Sequence, residues 1–172
     1  MISLSLVFYT PIWTQTTASV GVSISMPSIA LCDIEPNNTG ITLSMTAPTE
    51  AGNIVVSTAT NNTKWLNFTS AVTATQTRRV TVQLSGTLPN GVRLRLATAN
   101  YAGSGAGTLG SAASPIFITS TAQAIVNNIG GAYTGTGSGN GYNLTYSLDI
   151  QDYTQLRQRS NTLSIIYTLV DN

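Results

Sequence analysis

The sequence predicts an all-β protein, an antiparallel Greek-key or immunoglobulin-like β-sandwich with little or no helix. Apolar and polar residues alternate in several short segments, which is the period of a strand with one buried face. Turn-forming Asn, Gly and Pro residues separate these segments, and no long window has the i, i+3, i+4 spacing of an amphipathic helix. Many short strands joined by regular turns are typical of β-sandwiches.

Six segments carry the alternation, with apolar residues at every second position. They are Val20–Ile24, Ile41–Met45, Val80–Leu84, Val92–Leu96, Leu144–Ile150 and Leu163–Leu169. Because the turn-like sequence Ser85–Gly91 joins the third and fourth segments, we expect these two to pair as an antiparallel hairpin. The inward positions of these strands should be buried, namely Val82, Leu94, Leu148 and Ile165. Arg93 and Arg95 should be exposed on the outer face.

Turn signals and one ambiguous window complete the assignment of elements. The turn signals are Pro36-Asn37-Asn38, Ala51-Gly52-Asn53, Leu88-Pro89-Asn90-Gly91 and Gly139-Asn140-Gly141. Asn-Gly pairs supply the positive φ that tight turns need. The ambiguous window is Thr121–Ile129, where apolar residues at 122, 125, 126 and 129 hint at one or two helical turns.

Composition restricts the classes of function. Of the 172 residues, 42% are apolar, as in an ordinary folded domain, but only 8% are charged, against about 25% in an average soluble domain. Ser, Thr, Asn and Gly supply the polar surface instead. Seven basic and six acidic residues leave a net charge of +1. Since phosphate backbones are bound by clustered Lys and Arg, we expect no nucleic-acid partner.

The N-terminal segment has two interpretations. Residues 1–17 are either a signal peptide, because an apolar stretch of suitable length precedes small residues, or an N-terminal donor strand, because Ile2, Leu4 and Leu6 alternate with serines. We assign residues 18–172 to a single β-sandwich domain. No apolar stretch reaches the roughly 20 residues of a bilayer-spanning helix. We therefore expect a secreted, cell-surface protein without a membrane span.

The reactive residues indicate no catalytic centre. The chain has no histidine, which removes His-based triads and the commonest general base and metal ligand. Asp33 and Glu35 have a spacing that suits a glycosidase, but a turn sequence follows them and favours local backbone bonding. The single cysteine, Cys32, fits a small buried apolar residue, with an intermolecular bridge or reactive thiol as the alternative. We expect no enzyme, and no catalytic, cofactor or metal site.

Aromatic side chains are the candidate ligand-binding residues. Exposed aromatic rings bind sugars through their flat apolar faces, whereas a buried Trp in a sandwich core is the structural alternative. The candidates are Trp65, Tyr101, Tyr133 and Tyr142.

Parts of the chain resemble bacterial fimbrial, pilin-type subunits. Asn143-Leu144-Thr145-Tyr146 and Leu163-Ser164-Ile165-Ile166-Tyr167 are similar to the strands that end such subunits. The block Trp65–Tyr101, with Leu88-Pro89-Asn90-Gly91-Val92, is similar to secreted bacterial surface β-proteins. The disulfide common in chaperone–usher pilins is absent, since the chain has one cysteine.

The resemblance implies a mode of assembly. In fimbriae an incomplete sandwich exposes a groove, and the N-terminal strand of a neighbour fills it by β-augmentation. The candidate assembly residues are Ile2, Leu4, Leu6, Val20, Val22 and Ile24. The expected function is a non-catalytic structural subunit of an extracellular filament or surface appendage that self-assembles into a homopolymer. The alternatives are that these strands pair within their own domain, and that the protein is a secreted carbohydrate-binding or adhesin module for a glycan or cell-surface ligand.

Overall fold

The computed structural model describes residues 17–57 and 59–172. Within these ranges the chain forms strands and one 3-10 turn, Tyr153–Gln155, and no α-helix; none of its elements is a helix able to span a bilayer. The strands are β1 (Ile29–Glu35), β2 (Thr60–Ala71), β3 (Arg78–Ser85), β4 (Val92–Thr98), β5 (Ala106–Gly107), β6 (Ser111–Ala112), β7 (Ile116–Phe117), β8 (Gln123–Ile129), β9 (Ala132–Tyr133), β10 (Tyr142–Ile150) and β11 (Ser164–Asp171). The predicted all-β class is confirmed.

The strands form two antiparallel sheets that pack against each other. The first sheet has seven strands in the order β5-β9-β2-β10-β4-β7, with β1 also paired to β2. Since β1 and β10 pair with overlapping parts of β2, they lie on opposite sides of it, and β1 forms the edge. The second sheet has the order β11-β3-β8-β6, so β11 forms its edge. Both sheets thus end, on one side of the sandwich, in a strand with a free edge among the described residues.

The core lies between the sheets and follows the alternation of the central strands. From the first sheet it takes Leu66, Phe68, Leu94, Leu96, Tyr142, Leu144 and Tyr146. From the second sheet it takes Val80, Val82, Leu84, Ile125, Val126 and Ile129. Burial of such apolar side chains is the main favourable contribution to folding, at about 1.5–3 kcal/mol each.

The predicted faces of the strands are largely correct. Val82 is 0% exposed and Leu94 is 3% exposed, whereas Leu148 and Ile165 are half-buried against the core. Arg95 is exposed. Arg93 is only partly exposed, because its Nη2 lies 2.6 Å from Asp149 Oδ2 and its guanidinium lies 3.7 Å from the centre of the Phe117 ring.

The predicted hairpin of residues 80–84 and 92–96 is wrong. β3 pairs with β11 and β8, whereas β4 pairs with β10 and β7. The connection Ser85–Gly91, with positive φ at Gly86 and Gly91, therefore carries the chain from one sheet to the other across a gap of about 10 Å. Two strands that face each other across a core need the same alternation as two strands side by side, so the sequence pattern does not distinguish an arch from a hairpin.

The hint of helix at Thr121–Ile129 is also wrong, and the structure explains the misleading spacing. Val80 and Thr81 of β3 pair with Val126 and Ala124 of β8, and Arg78 pairs with Ile129. At each of these two register shifts, β8 holds one residue more than β3, which is the definition of a β-bulge. The bulges turn Ile125, Val126 and Ile129 toward the core together, which gives a helix-like spacing in a strand.

Two predicted strands are not strands in the structure. In Ile41–Met45 the apolar residues are half-buried and the intervening ones exposed, as predicted, and Ile41 and Leu43 pack against the core. The segment nevertheless lacks a ladder, and only an isolated bridge follows it, between Thr46 and Val56. Val20–Ile24 forms no strand within the described ranges.

Substitution at Leu94 tests the assignment of faces. We expect Leu94→Ala to lower the free energy of unfolding by about 2–5 kcal/mol, because it leaves a cavity in the core. Arg95→Ala, one residue further along β4 on the exposed face, should stay within about 0.5 kcal/mol of the wild type. Urea unfolding measures both values, and equal effects would show that the faces are assigned wrongly.

Candidate functional site

A solvent-exposed segment, Thr17–Ser28, precedes β1 and is called the arm below. All its residues are exposed, and its large apolar residues stand at alternate positions. Their exposed fractions are 88% for Val20, 77% for Val22, 88% for Ile24 and 79% for Met26. In extended chain these side chains project to one face, so the arm has the pattern of a strand but pairs with no strand within residues 17–57 and 59–172.

Three of these four residues were predicted as assembly candidates. Met26 was missed, although it continues the alternation of Val20, Val22 and Ile24 by one more step. The other predicted candidates, Ile2, Leu4 and Leu6, lie outside the described residues, as does nearly all of the segment 1–17.

The arm joins the sandwich at a buried arginine. Arg78, on β3, is 6% exposed. Its Nε donates to Asp171 Oδ1 at 2.7 Å, its Nη2 donates to Ser28 Oγ at 2.9 Å, and its Nη1 donates to the carbonyls of Ile29 and Ala71. One guanidinium therefore connects the end of the arm, the start of β1, the end of β2 and the end of β11.

The free edge of β11 faces β1. The amide of Asn172 donates to Thr77 O at 3.0 Å, in register with the β11–β3 ladder. Since backbone groups in an antiparallel strand point alternately to either side, the N–H and C=O groups of Ile165, Tyr167 and Leu169 point away from β3. The backbone of Leu169 hydrogen bonds with Cys32 of β1. Burial raises the pKa of the Cys32 thiol, and this hydrogen bond opposes the increase.

Beyond the contact of Cys32 with Leu169, the two edge strands leave a cleft of about 220 Å³ between them. It lies toward the end of β1 and the start of β11. Its lining consists of Cys32, Asp33, Ile34, Asn38, Ile165 and Tyr167. The cleft thus combines apolar side chains from both sheets with the outward-pointing backbone groups of β11.

A buried lysine holds one wall of the cleft. Lys64 is 6% exposed, and its Nζ donates to Asn37 O at 2.8 Å, to Asn37 Oδ1 at 3.1 Å and to Thr39 Oγ1 at 3.4 Å. Asn38 lies between these two residues in the chain and lines the cleft. The ammonium therefore fixes the loop after β1 in place.

Two tyrosines connect the sheets beside the cleft. The hydroxyls of Tyr146, on β10, and Tyr167, on β11, are 2.5 Å apart. Burial raises the pKa of Tyr146 to about 12 and also raises the pKa of Tyr167, where the neighbouring Tyr146 adds to the effect. Both hydroxyls therefore remain neutral at physiological pH and serve as a hydrogen-bonded tie between the sheets.

The four predicted ligand aromatics do not form one site. Tyr142 is 0% exposed; its ring stacks on Phe68 at 5.9 Å and its hydroxyl donates to Leu109 O at 2.8 Å. Burial also raises the pKa of Tyr142 to about 12. Tyr101 packs edge-on against Tyr142 and donates to Thr134 O at 3.1 Å. These two rings pack in the core, so their faces are not available for ligand binding.

The other two aromatics lie on the outer face of the first sheet. Leu66 and Phe68 point into the core, so Trp65 points outward, where it is half-buried and pairs with Glu35 of β1. Tyr133 is 51% exposed and pairs with Thr69. Asp33 is also on β1, and its Oδ1 accepts from the amide of Ile34 at 2.7 Å, which is the local bonding expected from the sequence.

Over residues 17–57 and 59–172, no three Cys, Asp or Glu side chains come close enough to form a metal-binding group. Comparison of the chain with protein-family models, with curated proteins and with solved structures gave no match. The features of the described residues that suggest a function are the arm, the two free edges and the outer face of the first sheet.

Substitution at Arg78 tests its role at the junction of the arm and β1. We expect Arg78→Met to lower the free energy of unfolding by about 2–4 kcal/mol, because buried carbonyl acceptors lose their donor. Arg79→Met, at the exposed neighbouring position, should change it by about 0.5 kcal/mol or less. Urea unfolding measures both values. Equal losses from the two substitutions would contradict the assigned role of Arg78.

Proposed function

We propose that the protein is a non-catalytic structural subunit of an extracellular filament or surface appendage, which assembles into a homopolymer by β-strand complementation. The observation that carries the proposal is the arm, where four large apolar side chains at alternate positions are each at least 77% exposed. Left unpaired, such a segment is an aggregation hazard. Pairing with a second copy removes the hazard and joins the two copies.

The free edge of β11 is the acceptor in this proposal. An arriving strand receives backbone hydrogen bonds from Ile165 and Tyr167, and the cleft between β1 and β11 receives its alternate side chains, as in β-augmentation generally. At about 3.3 Å per residue, the part of β11 before Leu169, Ser164–Thr168, spans about 17 Å, which is the length of about five of the seven residues Val20–Met26.

The position of the arm favours exchange between copies over insertion into its own domain. The arm meets β1 at Ile29, beside Arg78 and Asp171. The cleft lies at the other end of β1, near Ile34 and Asn38. A chain that continued the direction of β1 backwards from Ile29 would move away from the cleft and would have to reverse direction to enter it.

Export to the cell surface is part of the proposal. The low charge and the surface of Ser, Thr, Asn and Gly fit a protein that works by shape and assembly. The apolar segment at residues 1–17 fits a signal peptide, in which case the arm becomes the N-terminus of the mature chain.

Charged substitutions in the arm test the assembly mechanism. We expect Val22→Asp to abolish polymers, because burial of an aspartate against Ile34 and Ile165, next to the carboxylate of Asp33, has a large desolvation cost. Ser23→Asp, on the opposite face of the arm, is the matched control and should assemble like the wild type. Size-exclusion chromatography and negative-stain electron microscopy measure the result. Polymers of Val22→Asp at wild-type level, or a wild type that stays monomeric at high concentration, would contradict the proposal.

Peptide rescue gives a second readout of the same prediction. The truncated chain 28–172 keeps Ser28 and Arg78 together but lacks the donor. A peptide of residues 17–27 should bind it and raise its melting temperature by mass action, whereas the same peptide with aspartate at position 22 should not. If a saturating concentration of the peptide leaves the melting temperature unchanged, donor-strand assembly is wrong.

A carbohydrate-binding or adhesin module is the second candidate. The observation that favours it is the outer face of the first sheet, where the half-buried ring of Trp65 lies beside the carboxylate-bearing Glu35. Aromatic rings pack on the apolar faces of sugars, and a carboxylate accepts hydrogen bonds from hydroxyl groups.

Glycan binding separates the two candidates. If the protein is a carbohydrate-binding module, the wild type binds to a glycan array as a stable monomer. Trp65→Ala loses that binding. Tyr153→Ala, at an exposed position far from β1 in sequence, is the control and retains it. Binding that survives Trp65→Ala would show that the ring of Trp65 is not the binding site. Polymers without glycan binding would favour the filament subunit.

A further inference from the structure

The sequence contains two Asn-Gly pairs, Asn90-Gly91 and Asn140-Gly141. In such a pair, the backbone nitrogen of the glycine can attack the side-chain Cγ of the asparagine, because glycine has no side chain to block the approach. Ammonia leaves and a succinimide forms, which water then opens to aspartate or isoaspartate. The following residue is the same at both sites, so only the folded structure distinguishes them.

Asn140 is held in a conformation that prevents this reaction. Its Oδ1 accepts from the amide of Ser104 at 3.1 Å and from the Ser104 hydroxyl at 3.3 Å, and its Nδ2 donates to Thr136 O at 2.8 Å. The attacking nitrogen is occupied as well, since the amide of Gly141 donates to Ala102 O at 2.8 Å.

Packing restrains the same side chain further. A Cβ at Gly103 would lie 2.5 Å from Asn140 Oδ1, and a Cβ at Gly135 would lie 3.0 Å from its Cγ. The amide group is therefore in close contact with two glycine backbones. Its Cγ cannot turn toward the Gly141 nitrogen unless the surrounding loops open.

Asn90 has none of these restraints. Its side chain is exposed and has no hydrogen-bond partner in the described part of the chain. The turn around it is closed by one weak bond, from the Val92 amide to Pro89 O at 3.2 Å. Gly91 is held through its carbonyl, which accepts from the amides of Gln151 and Asp152, while its nitrogen makes no backbone hydrogen bond among the residues the structure describes.

We propose that Asn90 is a site of spontaneous deamidation in the folded protein and that Asn140 is protected. At Asn90 the Gly91 nitrogen forms a bond to Cγ, the Cγ–Nδ2 bond breaks, and ammonia leaves with the proton of the amide. Water then adds across the succinimide. The net reaction consumes one water and releases one ammonia, and it needs no enzyme, oxidant or metal.

The modification affects the arch between the two sheets. Gly91 ends the connection Ser85–Gly91 and packs closely against the chain before the 3-10 turn, since a Cβ on it would lie 2.3 Å from Asp152 O. Isoaspartate lengthens the backbone by one carbon at this contact, and either product adds a negative charge near Asp152. Aged protein should therefore melt at a lower temperature than fresh protein.

Peptide mapping by mass spectrometry, with isoaspartate detection, tests the proposal. The full-length protein is incubated in warm, mildly alkaline buffer, once folded and once in urea. In the folded protein we expect deamidation at Asn90 to be at least about tenfold faster than at Asn140, because Asn140 reacts only from locally opened states, which are sparsely populated. In urea the two rates should differ little.

Asn90→Gln is the matched control. It keeps a side-chain amide, but its longer side chain cannot form the succinimide ring. Its folded form should resist both the chemical change and the loss of melting temperature on ageing. Equal rates at Asn90 and Asn140 in the folded protein would overturn the proposal, and so would an unreactive Asn90 when both sites react in urea.

Discussion

The structure depends most on the hydrogen bonds of Arg78. A guanidinium that is 6% exposed would be costly to bury without partners, and this one has acceptors on three strands and on the arm. Because Arg78 belongs to the second sheet while Ile29 and Ala71 belong to the first, its bonds fix the distance between the sheets at their open side. They also hold the start of β1 close to the end of β11. From there the two edge strands diverge toward the cleft.

The alternation of apolar residues predicted β3, β4, β10 and β11 and their buried faces, because the period of two is a local property of a strand. It could not predict which strands are neighbours. Val80–Leu84 and Val92–Leu96 satisfy the same pattern in an arch as in a hairpin, and the choice is made by the distant partners β10 and β11. The bulges of β8 could not be predicted for the same reason, since the extra residues are defined only by the pairing with β3.

The candidate site was predictable in part for the same reason. Val20, Val22 and Ile24 were identified because exposed and buried strands have the same alternation, but the sequence did not indicate that the arm would form no ladder with the described strands. The role of Arg78 was not predictable, since nothing local in the sequence distinguishes a buried arginine from an exposed one. The prediction of Tyr142 and Tyr101 as ligand aromatics failed because a tyrosine whose hydroxyl donates to a carbonyl, as that of Tyr142 does to Leu109 O, packs well in a core.

The arrangement of strands across the two sheets has a consequence for folding. β2 pairs with β10, and β3 pairs with β11, so the central ladders join residues that are far apart in the chain. Such high contact order slows folding, because long loops must close before their contacts are gained. No adjacent pair among β2, β3 and β4 can form first as a hairpin, so their ladders with β10 and β11 must wait for a distant part of the chain. During that interval the apolar strands have unpaired edges, so a newly made chain is exposed to self-association until β11 has paired with β3.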